Sequence, residues 1–173
     1  WEGWKTHNTR QAEQASQMFE DLKRATQSGD SRRAQELTKS LQTDYASTPY
    51  ATHAALLAAQ RAAAAQDWDA ARTFLTWAQK NTADDGLQLL ARLREARVLS
   101  QQGKLDEALK RIPAQLDDSP FVSLFEELRG DIKRTQGDTD AARAAYEKAL
   151  AGAENAQREL LQRKLDDLAP AVS

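Results

Sequence analysis

The chain has 173 residues, which is enough for one domain or one short repeat array with a buried core. Its 24 basic and 26 acidic residues give a formal net charge of −2, so it lacks the basic excess that is typical of nucleic-acid-binding proteins. It contains no cysteine, which excludes disulfides and thiol chemistry, and no apolar run of the length that a transmembrane helix needs.

The first predicted helix covers residues 1–28. Its buried face is predicted from five apolar residues at helical spacing, Ala15, Met18, Phe19, Leu22 and Ala25. This pattern is missing near the start of the chain, where Trp1 and Trp4 are followed by basic residues. Because indole rings favour the boundary between membrane and water, Trp1 and Trp4 are candidate membrane-boundary residues. A frayed terminus with two exposed rings is the alternative interpretation.

Turn and cap residues divide the following chain into further helices. Thr48 and Pro49 predict the start of the third helix, with Thr48 as its N-cap and Pro49 in its first turn. Ser119 and Pro120 predict the start of the seventh helix in the same way. Pro113 is expected to end or bend the sixth helix before that point.

A last helix is predicted over residues 154–168. Its inward face is predicted to consist of Leu160, Leu161, Lys164, Leu165 and Leu168. The opposite face carries many charges, which is typical of a helix that shields the end of a stacked array. We therefore predict a C-terminal capping helix.

One motif recurs along the chain. Gly137 can adopt a positive φ that ends a helix, Asp138 can cap the next helix, and Ala142 begins its buried face. Equivalent alanines stand at Ala34, Ala71 and Ala108, so the four copies are separated by 37, 37 and 34 residues. Self-similarity at about 34 residues indicates tetratricopeptide repeats, which are helix hairpins that bury their apolar faces by stacking.

The predicted fold is therefore all-α, a tetratricopeptide-like α-solenoid of four helix hairpins and the capping helix, forming a single domain over residues 1–173. The predicted repeats are 12–46, 49–82, 86–118 and 120–152. In such arrays the first helix of each repeat lines a concave groove that binds other proteins. The residues predicted to face the groove are Phe19, Lys23, His53, Leu56, Gln60, Leu90, Leu93, Arg97, Leu124, Glu127, Asp131 and Arg134.

Two further points concern the predicted groove. Each of its leucines is equally compatible with a place in the core. Phe19 occupies the position where co-chaperone repeats that clamp a C-terminal carboxylate carry a basic residue, so a receptor for peptide termini is disfavoured.

The sequence offers no convincing catalytic or metal site. The two histidines, His7 and His53, lie on different predicted helices, and neither the histidines nor the carboxylates have the spacing of a metal site. Adjacent aspartates point about 100° apart on a helix and do not converge; the pairs are 84–85, 117–118 and 166–167. The prediction is a non-enzymatic protein without cofactor or metal, and an enzyme with a site in the groove is the rival hypothesis.

Several segments together resemble the YfgM-like family, the ancillary subunits of the bacterial Sec translocon. They are WEGWK at residues 1–5, LREARVL at 93–99, KLDEAL at 104–109, LRGD at 128–131, QGD at 136–138 and ARAAY at 142–146. The Ala-rich second hairpin, residues 51–71, departs from the family pattern.

The resemblance implies a preceding transmembrane anchor, a single-pass place in the bacterial inner membrane and a periplasmic position for this domain. It also implies that the protein links exported chains to periplasmic chaperones. The implied partners are the Sec translocon, a membrane-anchored prolyl-isomerase-like chaperone and unfolded exported chains, with no nucleic acid. The alternative is a soluble tetratricopeptide scaffold in another envelope assembly, such as outer-membrane biogenesis.

Overall fold

The computed structural model describes residues 2–116 and 119–168, with side chains described from Thr9 onward. Within these ranges it contains nine helices and confirms the all-α prediction. None of the described helices is both long and apolar enough to cross a bilayer. The helices are α1 (Glu2–Gln27), α2 (Ser31–Asp44), α3 (Pro49–Ala64), α4 (Trp68–Asn81), α5 (Asp85–Gln101), α6 (Leu105–Arg111), α7 (Val122–Thr135), α8 (Thr139–Ala151) and α9 (Asn155–Asp166).

The chain divides into two compact units, residues 1–92 and residues 93–173, and α5 contributes to both. In the first unit α1 packs on α2 and α3, α2 packs on α3, and α3 packs on α4. In the second unit α7 packs on α6 and α8, and α8 packs on α9. The core of each unit therefore forms mainly between helices that follow each other in the chain. The single tetratricopeptide-like domain over residues 1–173 stays a prediction.

Aspartates begin the second helix of three hairpins, as the recurring motif predicts. A side-chain oxygen of Asp30, Asp67 and Asp138 accepts a hydrogen bond at 3.0–3.1 Å from the backbone N–H three residues later. Lys104 stands at the equivalent position of α6 and makes no side-chain cap. Helix α6 is also short because Pro113 lies just beyond its end.

The turns before these helices share one backbone conformation. Gly29, Gly103 and Gly137 have φ values of 74°, 74° and 80°. Gln66 takes the equivalent place with a φ of 59°, although its Cβ makes this conformation unfavourable. The turn geometry is thus imposed by the hairpin even where glycine is missing.

Of two predicted helix starts, one is confirmed and one is corrected. Helix α3 begins at Pro49 with Thr48 in the N-cap position, as predicted, but the Thr48 Oγ1 donates a hydrogen bond to the backbone carbonyl of Tyr45 at 2.8 Å and makes no side-chain cap. Helix α7 starts at Val122, later than predicted. Ser119 accepts a hydrogen bond at 3.2 Å from the N–H of Phe121 and closes the turn before the helix.

Small residues fill the centre of each hairpin. The four aligned alanines, Ala34, Ala71, Ala108 and Ala142, are all fully buried. In α9 the buried residues are Leu161 and Leu165, whereas Leu160 is 42% exposed, contrary to the prediction. Neighbouring residues differ by about 100° around a helix, so Leu160 cannot share the narrow buried face of Leu161.

Candidate functional site

In the first unit, Phe19 is the centre of an aromatic cluster that also contains Tyr50 and His53. The ring centroid of Phe19 lies 6.1 Å from that of Tyr50 and 6.0 Å from that of His53. The Nζ atom of Lys23 lies 5.5 Å from the Phe19 centroid. His53 is exposed and the other two rings are partly buried, so the cluster offers apolar surface beside a cation. Tyr50 was missed from the sequence, although it precedes His53 by one helical turn.

The other apolar groove candidates are less accessible. Leu56 and Leu93 are 4% and 1% exposed, so the structure places them in the core and corrects the prediction that they face a groove. Leu56 stands on the alanine-rich helix α3, where a large side chain fills space between helices, and Leu93 lies between the buried residues Ala91 and Ala96 of α5. Leu90 and Leu124 are partly buried, and Gln60 is exposed.

In the second unit, the structure brings four of the predicted groove residues to one cavity of about 550 Å³, here called the charged cleft. These four residues come from α5 and α7, and α9 closes one side with Lys164. The wall is predominantly polar. The lining residues are Arg97, Ser100, Gln101, Glu127, Leu128, Asp131, Arg134, Thr135 and Lys164.

Lys164 holds both carboxylates of the charged cleft. Its Nζ lies 2.8 Å from Glu127 Oε1, and 2.7 and 2.8 Å from the two oxygens of Asp131. Glu127 also accepts a hydrogen bond from Gln157 at 3.1 Å, and Asp131 accepts one from the hydroxyl of Tyr146 at 2.8 Å. The Lys164 and Glu127 side chains are 15% and 13% exposed, so solvent screens this pair only weakly. The network ties α9 to α7.

Tyr146, on the neighbouring helix α8, also contributes to this network. Its ring is fully buried in α8, and its hydroxyl reaches Asp131. Burial, followed by the hydrogen bond to Asp131, raises the pKa of Tyr146 well above its ordinary value. The phenol therefore stays neutral and acts as a donor to the carboxylate. The ring occupies space that exists only because Gly130 has no side chain, since a Cβ there would overlap ring atoms of Tyr146.

Arg97 and Arg134 remain at the exposed edge of the charged cleft. In residues 2–116 and 119–168, neither guanidinium has a carboxylate within ion-pair distance, because Glu127 and Asp131 are turned towards Lys164. Arg94, on the same helix as Arg97, has its pKa lowered by burial and by the charge of Arg97. The accessible charge of this cleft is therefore positive.

A second cavity, of about 610 Å³, lies in the first unit between α2, α3 and α4. Its lining includes the apolar residues Ala58, Ala62 and Phe74 and the basic residues Lys39 and Arg61. None of these residues was predicted as a site, because each has the pattern of an ordinary helix surface.

Several sequence candidates lie outside what the structure describes. Trp1 and the side chains of Trp4 and His7 belong to this group, as do Asp117 and Asp118. In the part of the chain that is described, no group of three or more His, Asp or Glu residues has the arrangement of a metal site.

Comparison with known proteins gives one consistent result. Residues 1–170 match the tetratricopeptide repeat-like domain family. An ancillary SecYEG translocon subunit from Haemophilus influenzae is 30% identical over 168 residues, which cover 97% of this chain and 81% of that protein. The protein of the same name from Neisseria gonorrhoeae is 37% identical over 135 residues, which cover 77% of this chain and 64% of that protein. The Escherichia coli protein of that name is 27% identical over 171 residues.

Proposed function

The chain belongs to the tetratricopeptide repeat-like family of ancillary SecYEG translocon subunits, and from this membership we propose that it is a protein-binding scaffold associated with the Sec translocon. The observation that carries the proposal is the family match over almost the whole chain, at 30% identity to the Haemophilus influenzae protein. The helix hairpins and the predominantly polar charged cleft support a role in binding rather than in chemistry. The proposed role is non-catalytic.

The finer part of the proposal concerns topology and partners. We propose that a transmembrane segment precedes Trp1 and holds this domain on the periplasmic side of the inner membrane. There it would pass exported chains to a membrane-anchored prolyl-isomerase-like chaperone. The resemblance of the chain to its family supports these points. Trp1 and Trp4 suit the boundary between such an anchor and water.

The proposed mechanism is presentation of a preformed surface by each unit. Apolar contact would come from the aromatic cluster in the first unit, where three rings lie close together. Orientation would come from the charged side chains of the charged cleft in the second unit, because charge complementarity contributes to specificity. A surface fixed by packed helices costs little ordering when a partner binds.

Photo-crosslinking in native membranes tests this proposal. A crosslinking amino acid is placed at His53 in one variant and at Arg97 in another, and matched controls carry it at Arg32 and Glu159, which are exposed and outside both sites. We expect crosslinks to translocon subunits and exported chains from the first two positions and weak crosslinks from the controls. Failure to recover any translocon subunit, from any position or by co-purification, would contradict the proposal. Recovery of outer-membrane assembly factors instead would favour the soluble-scaffold alternative.

A further inference from the structure

The charged side chains that line the charged cleft differ in whether they already have an ionic partner. Three cations and two carboxylates line it, and Lys164 pairs with both carboxylates. We propose that the charged cleft binds an acidic segment of a polypeptide through Arg97 and Arg134. This inference rests on the proposed function, because it assumes that the protein binds polypeptides, and it adds the chemistry of the partner.

The carboxylates are unsuited to holding a cationic partner. Glu127 and Asp131 accept hydrogen bonds from Lys164, Gln157 and Tyr146, and three of these bonds come from the Lys164 ammonium group. A basic peptide would have to displace Lys164 and leave a weakly exposed ammonium group without its partners. Such displacement is costly, because a partly buried charge that loses its partner is destabilised.

The arginines are suited to holding an anionic partner. Arg97 and Arg134 are exposed, and within the described chain no carboxylate competes for them. A guanidinium group can donate two parallel hydrogen bonds to one carboxylate, which makes Arg a good receptor for Asp and Glu side chains. Ser100 and Gln101 add uncharged polar groups beside them. Attraction of an acidic segment therefore needs no rearrangement of the Lys164 network.

The size of the charged cleft favours a polypeptide over a small free anion. Its volume of about 550 Å³ is within the range of pockets that enclose ligands much larger than a single inorganic ion. Side chains of several consecutive residues can thus enter together.

Fluorescence anisotropy with the 173-residue chain tests the inference. The probe is a labelled glycine-serine peptide that carries several glutamates, and the comparison peptide carries glutamine at the same positions. We expect the acidic peptide to bind about tenfold more tightly, and the preference to shrink with added salt. In the double variant Arg97→Gln, Arg134→Gln we expect affinity for the acidic peptide to fall about tenfold.

The matched control is the double variant Lys110→Gln, Arg158→Gln, which removes the same charge from exposed positions of the second unit outside the charged cleft. Its affinity should change by less than about twofold. Thermal unfolding should be the same in all variants, since the four side chains are exposed. Equal binding of the two peptides, or equal losses in the two double variants, would overturn the inference.

The crosslinking experiment separates this inference from the proposed function. If translocon crosslinks persist in a protein that shows no preference for the acidic peptide, the protein is a translocon scaffold and the assignment of the charged cleft is wrong. If both results are negative, the proposed function fails as well.

Discussion

The hairpins α3–α4 and α7–α8 have the same architecture. They differ in the residues that fill the interface between their two helices, here called the seam. In α3–α4 the seam is lined by alanines, and the equivalent central residues are Ala59 and Leu75, both nearly fully buried. In α7–α8 the equivalent residues are Gly130 and Tyr146, with the aromatic ring placed over the glycine. The first seam is filled by several alanines and by leucines, whereas the second depends on the single matched pair of Gly130 and Tyr146.

The two seams also differ in buried polar groups. In α3 the buried polar residue is the uncharged Thr52, whereas α7 buries Glu126, which pairs with Arg129 and Lys148 at 3.1 Å each. Asp131 and Glu127 add the contacts to Tyr146 and Lys164. An alanine seam therefore holds two helices together with little chemical specificity. The seam of α7–α8 is specific, and it places charges at the edge of the charged cleft.

The largest expected effect follows from filling the space above Tyr146. Gly130→Ala puts a Cβ atom onto the ring, which is fully buried and cannot move without disturbing α8. We expect the free energy of unfolding to fall by about 3 kcal/mol, as in other overpacked cores. Urea denaturation measures the change. The reverse substitution at the equivalent position of the alanine seam, Ala59→Gly, should lower the free energy of unfolding by only about 1 kcal/mol.

A double variant tests whether the seam of α3–α4 can replace that of α7–α8. Gly130→Ala combined with Tyr146→Leu recreates the Ala–Leu pair of α3–α4 in the α7–α8 hairpin. The double variant should be more stable than the sum of the single losses predicts, with a coupling energy of about 1.5 kcal/mol. Losses that simply add would show that the contact between position 130 and the Tyr146 ring does not control this seam.

The next largest effect concerns Lys164, which extends the charged seam to α9. Lys164→Met leaves Glu127 and Asp131 without their ammonium partner, and both carboxylates are only partly exposed. We expect a loss of about 2 kcal/mol, below the value for a fully buried pair because some solvent reaches Asp131. The control Arg163→Met, at a side chain 73% exposed, should cost less than about 0.5 kcal/mol. Similar losses in both variants would contradict a specific role for Lys164.

The Tyr146 hydroxyl provides a test that depends on pH. Tyr146→Phe removes the hydrogen bond to Asp131, and we expect a loss of about 1.5 kcal/mol at neutral pH. Because the folded-state pKa of Tyr146 is raised, this contribution is complete below the unfolded tyrosine pKa of about 10 and is lost as pH rises through the folded value. Unfolding curves should therefore differ most below pH 10 and converge above it. A difference that grows above pH 10 would exclude this assignment.

Local features of these hairpins could be predicted from sequence. The caps at Asp30, Asp67 and Asp138 depend only on neighbouring backbone groups, so the repeated motif is sufficient to identify them. The buried alanines follow from the same alignment. Even the positive φ of Gln66 follows from its place in the repeat, because the turn has the same shape in every copy.

The long-range contacts could not be predicted in this way. Lys164 is 33 residues from Asp131, and the pair forms only when α9 packs against the preceding hairpin. The prediction that Leu160 faces inward was wrong for a related reason. The sequence shows two adjacent leucines in α9 but does not show which of them the neighbouring helix covers. Leu56 and Leu93 lie in the core, where buried alanines of the same helices leave room for a larger side chain. The charged cleft is therefore a product of tertiary packing.

The smallest expected effect is a gain at α6, which within the described residues begins with Lys104 where the equivalent helices begin with a capping aspartate. Lys104→Asp places a carboxylate where Asp30, Asp67 and Asp138 stand, within reach of the N–H of Glu107. We expect the free energy of unfolding to rise by about 0.5–1 kcal/mol, less than a full cap, because Asp106 and Glu107 already put negative charge in the first turn. Thermal unfolding measures the gain, and Lys104→Ala separates the cap from the simple removal of a lysine. If aspartate and alanine stabilise equally, the missing cap is not what distinguishes α6 from its three counterparts, and the nearby Pro113 is left as the cause of its short length.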